Sequence, residues 1–280
     1  MTYHRPLQLN QALELAAMGA RVLAGGTDIL PALQGRDLTG TVLDLTAVTG
    51  LRGITESAKR YRIGATTRWS DVIAADLPAA FDALKQAAHE VGSVQIQNSG
   101  TVAGNIVNAS PAADGVPALL VLDADVELSG ANSKRLIPLA EFITGVRRTA
   151  LLPGEIVTAL EISKSATSGV SAFQKLGARK YLVISIAMVA VRLVLHNGRI
   201  EQAAVAVGAC SPVARRLTGF EAALRGLNVA QPSAWRAALQ ADITARLDPI
   251  DDIRANVGYR INAVAELIDQ AIAAAAQEGE

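Results

Sequence analysis

Apolar residues at Leu9, Ala12, Leu13, Ala16 and Ala17 recur at helical spacing, and Gly19 follows as a stop, so residues 9–18 are predicted to form a helix. Short apolar or alternating runs predict strands at 22–24, 41–45 and 61–65, and a helical pattern resumes over 79–91. From 92 to 117 the periodicity disappears, and small and polar residues predict a long loop. A loop of that length inside a compact chain is usually functional. An apolar run at 118–122 and strand-like segments at 125–128 and 156–162 follow, and the polar stretch 163–169 reads as a domain boundary. Beyond it, strands at 182–195 and 200–207 flank Asn197-Gly198, the dipeptide that best tolerates the two positive φ angles of a type I′ hairpin. Helical patterns fill 213–224, 233–247 and 257–275. Three strands and a helical pack make this half an α+β domain.

Composition narrows the chemistry. The chain has 280 residues, 50% hydrophobic and 19% charged, which is globular composition. Lys plus Arg (26) balances Asp plus Glu (26), and only 4% of residues are aromatic. There is neither a basic field for a polyanion nor a set of stacking platforms, so nucleic acid is not the expected partner. Cys210 is the single cysteine and cannot ligate an iron–sulfur cluster by itself. His4, His89 and His196 lie far apart without metal-ligand spacing. The apolar stretch 182–191 is too short for a membrane span, and the first ten residues lack the apolar core of a signal peptide. The expectation is a cytoplasmic protein.

None of the 23 glycines is separated from another by a single residue, so a GxGxxG fingerprint is absent, as is a GxxxxGK[ST] loop. What remains is Leu23-Ala24-Gly25-Gly26-Thr27-Asp28, a strand end turning through two glycines into a hydroxyl and a carboxylate. Adjacent residues free to take positive φ let backbone N–H groups converge on an anion, and a missing Cβ lets a pyrophosphate approach. The same residues suit a plain turn capped by Asp28. A second segment, Asn98-Ser99-Gly100-Thr101-Val102-Ala103-Gly104-Asn105, repeats the ingredients. It continues through Asn108-Ala109-Ser110-Pro111 to Asp114. Two such loops suit a diphosphate gripped from both sides, although each alone suits a structural turn.

Taken in order, these segments resemble the flavin subunit of molybdenum hydroxylases, the group of carbon monoxide and xanthine dehydrogenase medium subunits. The similarity continues through Gly154-Glu155-Ile156-Val157, Phe173-Gln174-Lys175-Leu176-Gly177-Ala178-Arg179 and Asp251-Asp252-Ile253-Arg254, and covers almost the whole chain. The resemblance implies an α+β FAD-binding domain over 1–165, with subdomains of about 1–57 and 58–165, and a smaller α+β domain over 170–280. It implies non-covalent FAD, since neither His89 nor Cys210 lies where a tether is expected. The diphosphate would be held by Leu23, Ala24, Gly25, Gly26, Thr27 and Asp28 together with Gly100, Thr101, Gly104 and Asn105. Asp114 would contact the cofactor, the backbone of Ile156 and Val157 would lie against the isoalloxazine, and Lys175 and Tyr181 would stand near the ring. By itself, Lys175 equally suits a solvated lysine at a strand end.

The implied function is electron relay in an oxidoreductase that hydroxylates only with its partners: a large molybdenum-cofactor subunit and a small subunit with two [2Fe–2S] clusters. FAD would pass the electrons to a final acceptor such as NAD. A partner bearing an export signal would carry the complex to the periplasm. One departure stands out: Ala103 replaces the first of two glycines that the family places before the asparagine. If that position required positive φ, alanine would cost on the order of 1 kcal/mol. A flavin-free structural subunit of the same complex is the alternative that this departure supports.

Overall fold

The computed structural model describes residues 1–180 and 182–278, in two compact units whose segments interleave along the chain. The first comprises Met1–Ala75, Ser93–Ala109 and Ala124–Ser163; the second comprises Asp76–Gly92, Ser110–Asp123 and the chain from Lys164 onward.

In the first unit, β1 (Thr2–His4), β2 (Arg21–Leu23) and β3 (Thr41–Asp44) form a parallel sheet in the order β1-β3-β2. The predicted first helix spans Leu9–Ala17, and its stripe of Ala12, Leu13 and Ala16 packs with Leu43, Leu45, Val48 and Leu51. A five-stranded antiparallel sheet follows, from β4 (Ile54–Glu56), β5 (Arg60–Gly64), β6 (Asp125–Gly130), β7 (Ser133–Pro138) and, after the short pair β8 (Ile143–Gly145) and β9 (Arg148–Thr149), β10 (Ile156–Ser163). Its order is β4-β5-β10-β6-β7. β10 is central and buried on both faces from Ile156 to Ile162, so its polar members must be paired. The Thr158 hydroxyl donates to Glu127 Oε1 at 2.6 Å, beside the register shift that separates Val157 from Ala159.

The second unit is built on an antiparallel sheet of β11 (Val170–Leu176), β12 (Ala187–His196), β13 (Arg199–Gly208) and a two-residue edge strand, β14 (Arg215–Arg216). Asn197 and Gly198 have φ of 51° and 70°, as the hairpin prediction requires. Alternation sorts the sheet's two faces. Val170, Ala172, Val189, Val191, Leu193, Val205 and Val207 share a core with Phe220, Leu239, Ile243, Val264, Ile268 and Ile272 of helices Thr218–Leu224, Arg236–Arg246 and Val257–Gln277. Residues of the opposite parity face helices Asp82–Glu90 and Gly115–Val121: Ser171 accepts from the Ala83 N–H at 2.8 Å, and Arg192 Nε donates to Val121 O at 2.8 Å.

Three sequence expectations need correction. The predicted loop at 92–117 holds helices Val94–Gln97 and Val102–Asn108 and the start of Gly115–Val121. These helices are only four to seven residues long, too short to display a 3.6-residue stripe. The strand expected from 182 begins at Ala187, because Leu182 takes a φ of +54° and Ile184 faces solvent. The helix expected from 213 begins at Thr218, with β14 pairing against Ala206 and Val207 before it. Among the described residues, no helix is long and apolar enough to cross a membrane.

Candidate functional site

β2 ends at Leu23, and the chain turns through Ala24, Gly25, Gly26 and Thr27 to Asp28, which precedes the helical turn Ile29–Ala32. Gly26 has a φ of +71°, which an L side chain rarely adopts. Gly25 is needed for a different reason. A β-carbon there would fall on the Ser99 carbonyl oxygen and lie 2.8 Å from Gly100 Cα, so the two glycine segments touch backbone to backbone. A β-carbon on Gly100 would in turn stand 3.3 Å from Thr27 Oγ1. The second segment is anchored by the Trp69 N–H, which donates to Gly100 O at 3.2 Å, and by the Val102 N–H, which donates to Thr67 O at 3.0 Å. Thr101 caps helix Val102–Asn108 by accepting from the Gly104 N–H at 3.1 Å. A β-carbon on Gly104 would lie 2.7 Å from that hydroxyl. Asn105 Oδ1 is buried without a hydrogen-bond partner.

Ala103 sits inside this helix with right-handed backbone and is buried. Alanine is therefore unstrained at that position, and the reason to expect weakened cofactor binding lapses.

Sequence reasoning missed Arg147. Its φ is +56°, its N–H donates to Ala109 O at 2.9 Å, and Nη1 donates to Asp28 Oδ2 at 3.1 Å and to the Asn108 side-chain oxygen. Arg147 thus ties the first glycine segment to the end of helix Val102–Asn108. Nothing local signals this, since the arginine reaches both partners through the turn between β8 and β9. Ile156 and Val157 lie in the same unit as the two loops. Both side chains are buried, which leaves only their backbone to present.

Asp114, Lys175 and their partners belong to the second unit. Strand alternation puts Lys175 on the face of β11 shared with Ser171 and Phe173, toward helix Asp82–Glu90. Its side chain is 6% exposed, which excludes the solvated strand-end lysine. Nζ donates to Asp114 Oδ2 at 2.8 Å and to Glu90 O at 3.3 Å. The other oxygen of Asp114 accepts from Ser185 Oγ at 2.6 Å. Burial pushes the Asp114 carboxyl up, opposed by Lys175 and Ser185. Lys175 also lines a cavity of about 680 Å³ with Gln86, His89, Glu90, Phe173 and Arg179. The predicted ring neighbour Tyr181 lies outside the described residues.

Comparison with known proteins identifies the class. Residues 1–164 match the FAD-binding domain of molybdopterin dehydrogenases, and residues 171–275 match the CO dehydrogenase flavoprotein C-terminal domain. The chain therefore belongs to the flavoprotein-subunit family of the molybdenum hydroxylases, whose members are oxidoreductase subunits. It is 31% identical to the carbon monoxide dehydrogenase medium chain of Afipia carboxidovorans, covering 96% of this chain and 94% of that one. It is 29% identical to the xanthine dehydrogenase FAD-binding subunit of Escherichia coli O157:H7, covering 98% and 97%. Among solved structures, reconstituted CO dehydrogenase from Oligotropha carboxidovorans contains a chain that superposes with a TM-score of 0.90 at 28% identity, covering 98% of this chain and 97% of that one.

Proposed function

We propose that this chain carries FAD non-covalently and acts as the electron-transfer subunit of a multi-subunit molybdenum hydroxylase. The observation that carries the proposal is the pair of glycine segments packed backbone to backbone at Gly25 and Gly100, with a buried, unpartnered amide oxygen at Asn105 beside them. Backbone N–H groups stripped of neighbouring side chains suit a diphosphate, and the orphaned acceptor of Asn105 asks for a donor, which the hydroxyls of FAD supply and its phosphates do not. Leu23, Ala24, Gly25, Gly26, Thr27 and Asp28 with Gly100, Thr101 and Gly104 would hold the diphosphate, and Asn105 would bind a neighbouring hydroxyl of the same cofactor. The backbone of Ile156 and Val157 would lie against the ring, with Asp114, Lys175 and Tyr181 as the remaining contacts. Lys175 brings a positive charge, partly neutralised by Asp114, toward the negative charge that a reduced flavin carries.

When bound, FAD supplies exchange between one-electron and two-electron carriers. The electrons would come from [2Fe–2S] clusters of a small subunit, fed by a molybdenum cofactor on a large subunit, and leave to an acceptor such as NAD. A single cysteine on this chain fits clusters held elsewhere. We assign the cofactor domain to residues 1–165, with subdomains of about 1–57 and 58–165, and the C-terminal domain to 170–280. We place the protein in the cytoplasm, or in the periplasm where a partner subunit carries an export signal.

The test is the visible spectrum of the purified chain, followed by acid precipitation. FAD rather than FMN, released into the supernatant at one per chain, is the expected outcome. A protein that stays colourless after incubation with FAD overturns the proposal.

A further inference from the structure

Residues 251–254, Asp-Asp-Ile-Arg, belong to no cofactor loop, yet Asp252 and Arg254, each about a quarter exposed, pair around a buried arginine of the second unit. Arg260 is fully buried. Its guanidinium donates to Asp252 Oδ1 at 2.7 Å, to Ala209 O at 3.2 Å and to Ile186 O, while Nε has no partner. Arg254 donates through Nε and Nη2 to Asp252 Oδ2 at 2.9 and 2.6 Å, and through Nη1 to Ser185 O at 2.8 Å. One carboxylate thus holds two arginines, and each arginine grips a successive carbonyl, Ser185 and then Ile186. Burying a guanidinium costs several kcal/mol, which apolar packing would avoid, so what the cluster secures is position.

The gripped segment is the return limb of the connection between β11 and β12. Its base is closed by the Ile186 N–H donating to Leu176 O at 2.8 Å. A β-carbon on Gly177 would collide with the Val183 side chain, so the limbs are also in close contact. The outgoing limb begins two residues after Lys175, and the return limb carries Ser185, whose hydroxyl donates to Asp114. Ser185 is fully buried, so its hydroxyl is set by its backbone, and its backbone is set by Arg254.

We propose that Asp252, Arg254 and Arg260 form a clamp that fixes the Ser185 and Ile186 carbonyls and so positions the Asp114–Lys175 pair. Arg254 is a positioning residue acting through Ser185. The inference rests on the proposed FAD site and adds the residues that set its charged pair. Without the clamp the loop keeps its base at Leu176 and Ile186 but loses the tie at Ser185, so Asp114 and Lys175 are free to re-pair.

The experiment compares wild type, Arg254→Met, Ser185→Ala and the double variant as full chains, by FAD titration, by the visible spectrum and midpoint potential of the bound flavin, and by thermal melts without cofactor. Each single variant is expected to weaken FAD about tenfold, the scale of one hydrogen bond to a charged group. Each should also shift the flavin's spectrum and potential, which a merely structural loss would leave alone. The double variant should be little worse than either single one, because both cut the same chain of contacts. If wild type binds FAD and Ser185→Ala binds it equally well with an unchanged spectrum and potential, the clamp is overturned and the FAD site stands. Additive losses in the double variant also overturn it, as does a Ser185→Ala chain that loses FAD only in proportion to lost folding. If wild type binds no FAD, the proposed function fails and the clamp fails with it.

Discussion

The carbonyl oxygen of Ser99 occupies the space that a β-carbon on Gly25 would need. Two glycine segments far apart in the chain are thereby held at backbone contact. Gly25→Ala must drive the segments apart, since backbone atoms cannot swing aside as a flexible side chain would. Overpacking of this kind costs about 1–3 kcal/mol. We expect a lower melting temperature without cofactor and FAD affinity reduced by at least about tenfold. A titration showing wild-type affinity would mean that the contact does not shape the site.

Ala103→Gly is expected to leave FAD affinity unchanged, because the residue lies within helix Val102–Asn108 at right-handed φ. Glycine there adds only freedom to the unfolded chain and removes a buried methyl, for a stability loss of about 1 kcal/mol. A melt and a titration on the same preparation separate the two effects, and markedly tighter binding by the glycine variant contradicts the helical geometry.

Glu127 supplies a pH dependence with a definite sign. Burial raises its carboxyl, but Lys134, Thr158 and Arg62 outweigh burial and bring it down to about 2 from the ordinary 4.5. The folded state therefore binds its proton less readily than the unfolded state. The stabilisation is fully present above the unfolded value and is lost as pH falls from about 4.5 through about 2. Lys134 is largely exposed and Arg62 partly so, which screens the pair and leaves on the order of 1–3 kcal/mol. Glu127→Gln should flatten the acid limb of a stability-against-pH profile recorded by urea denaturation; an unchanged limb would show that other carboxylates carry it.

Cys210 is fully buried, and burial pushes its thiol up to about 12. The thiolate is the reactive form, so the folded protein should resist a thiol reagent near pH 8 and react fully in denaturant. Rapid labelling of the native chain would show that this part of the core opens readily.

Elements whose cause is local were legible in the sequence. The stripe of Ala12, Leu13 and Ala16 needs only a core to face, and Asn197-Gly198 carries its turn geometry in two residues. Both appear where the pattern places them. The glycine segments were legible as chemistry too, since loss of Cβ and freedom in φ belong to the residue itself. The short helices between 92 and 117 were not, because a stripe needs more turns than they possess.

The tertiary structure decided everything that depends on residues distant in the chain meeting. That Gly25 is needed for a contact with Ser99, and not for its φ, follows only from the packing of the two loops. Arg147 reaches Asp28 and Asn108 from a turn with no cofactor motif of its own. By pattern Lys175 suited a solvated strand-end lysine as well as a functional one, until alternation placed it against Asp114 and buried its ammonium. The physical reason is common to all three. Sequence pattern records what each residue can do within a few neighbours, whereas burial and charge pairing depend on which distant groups exclude the water around it.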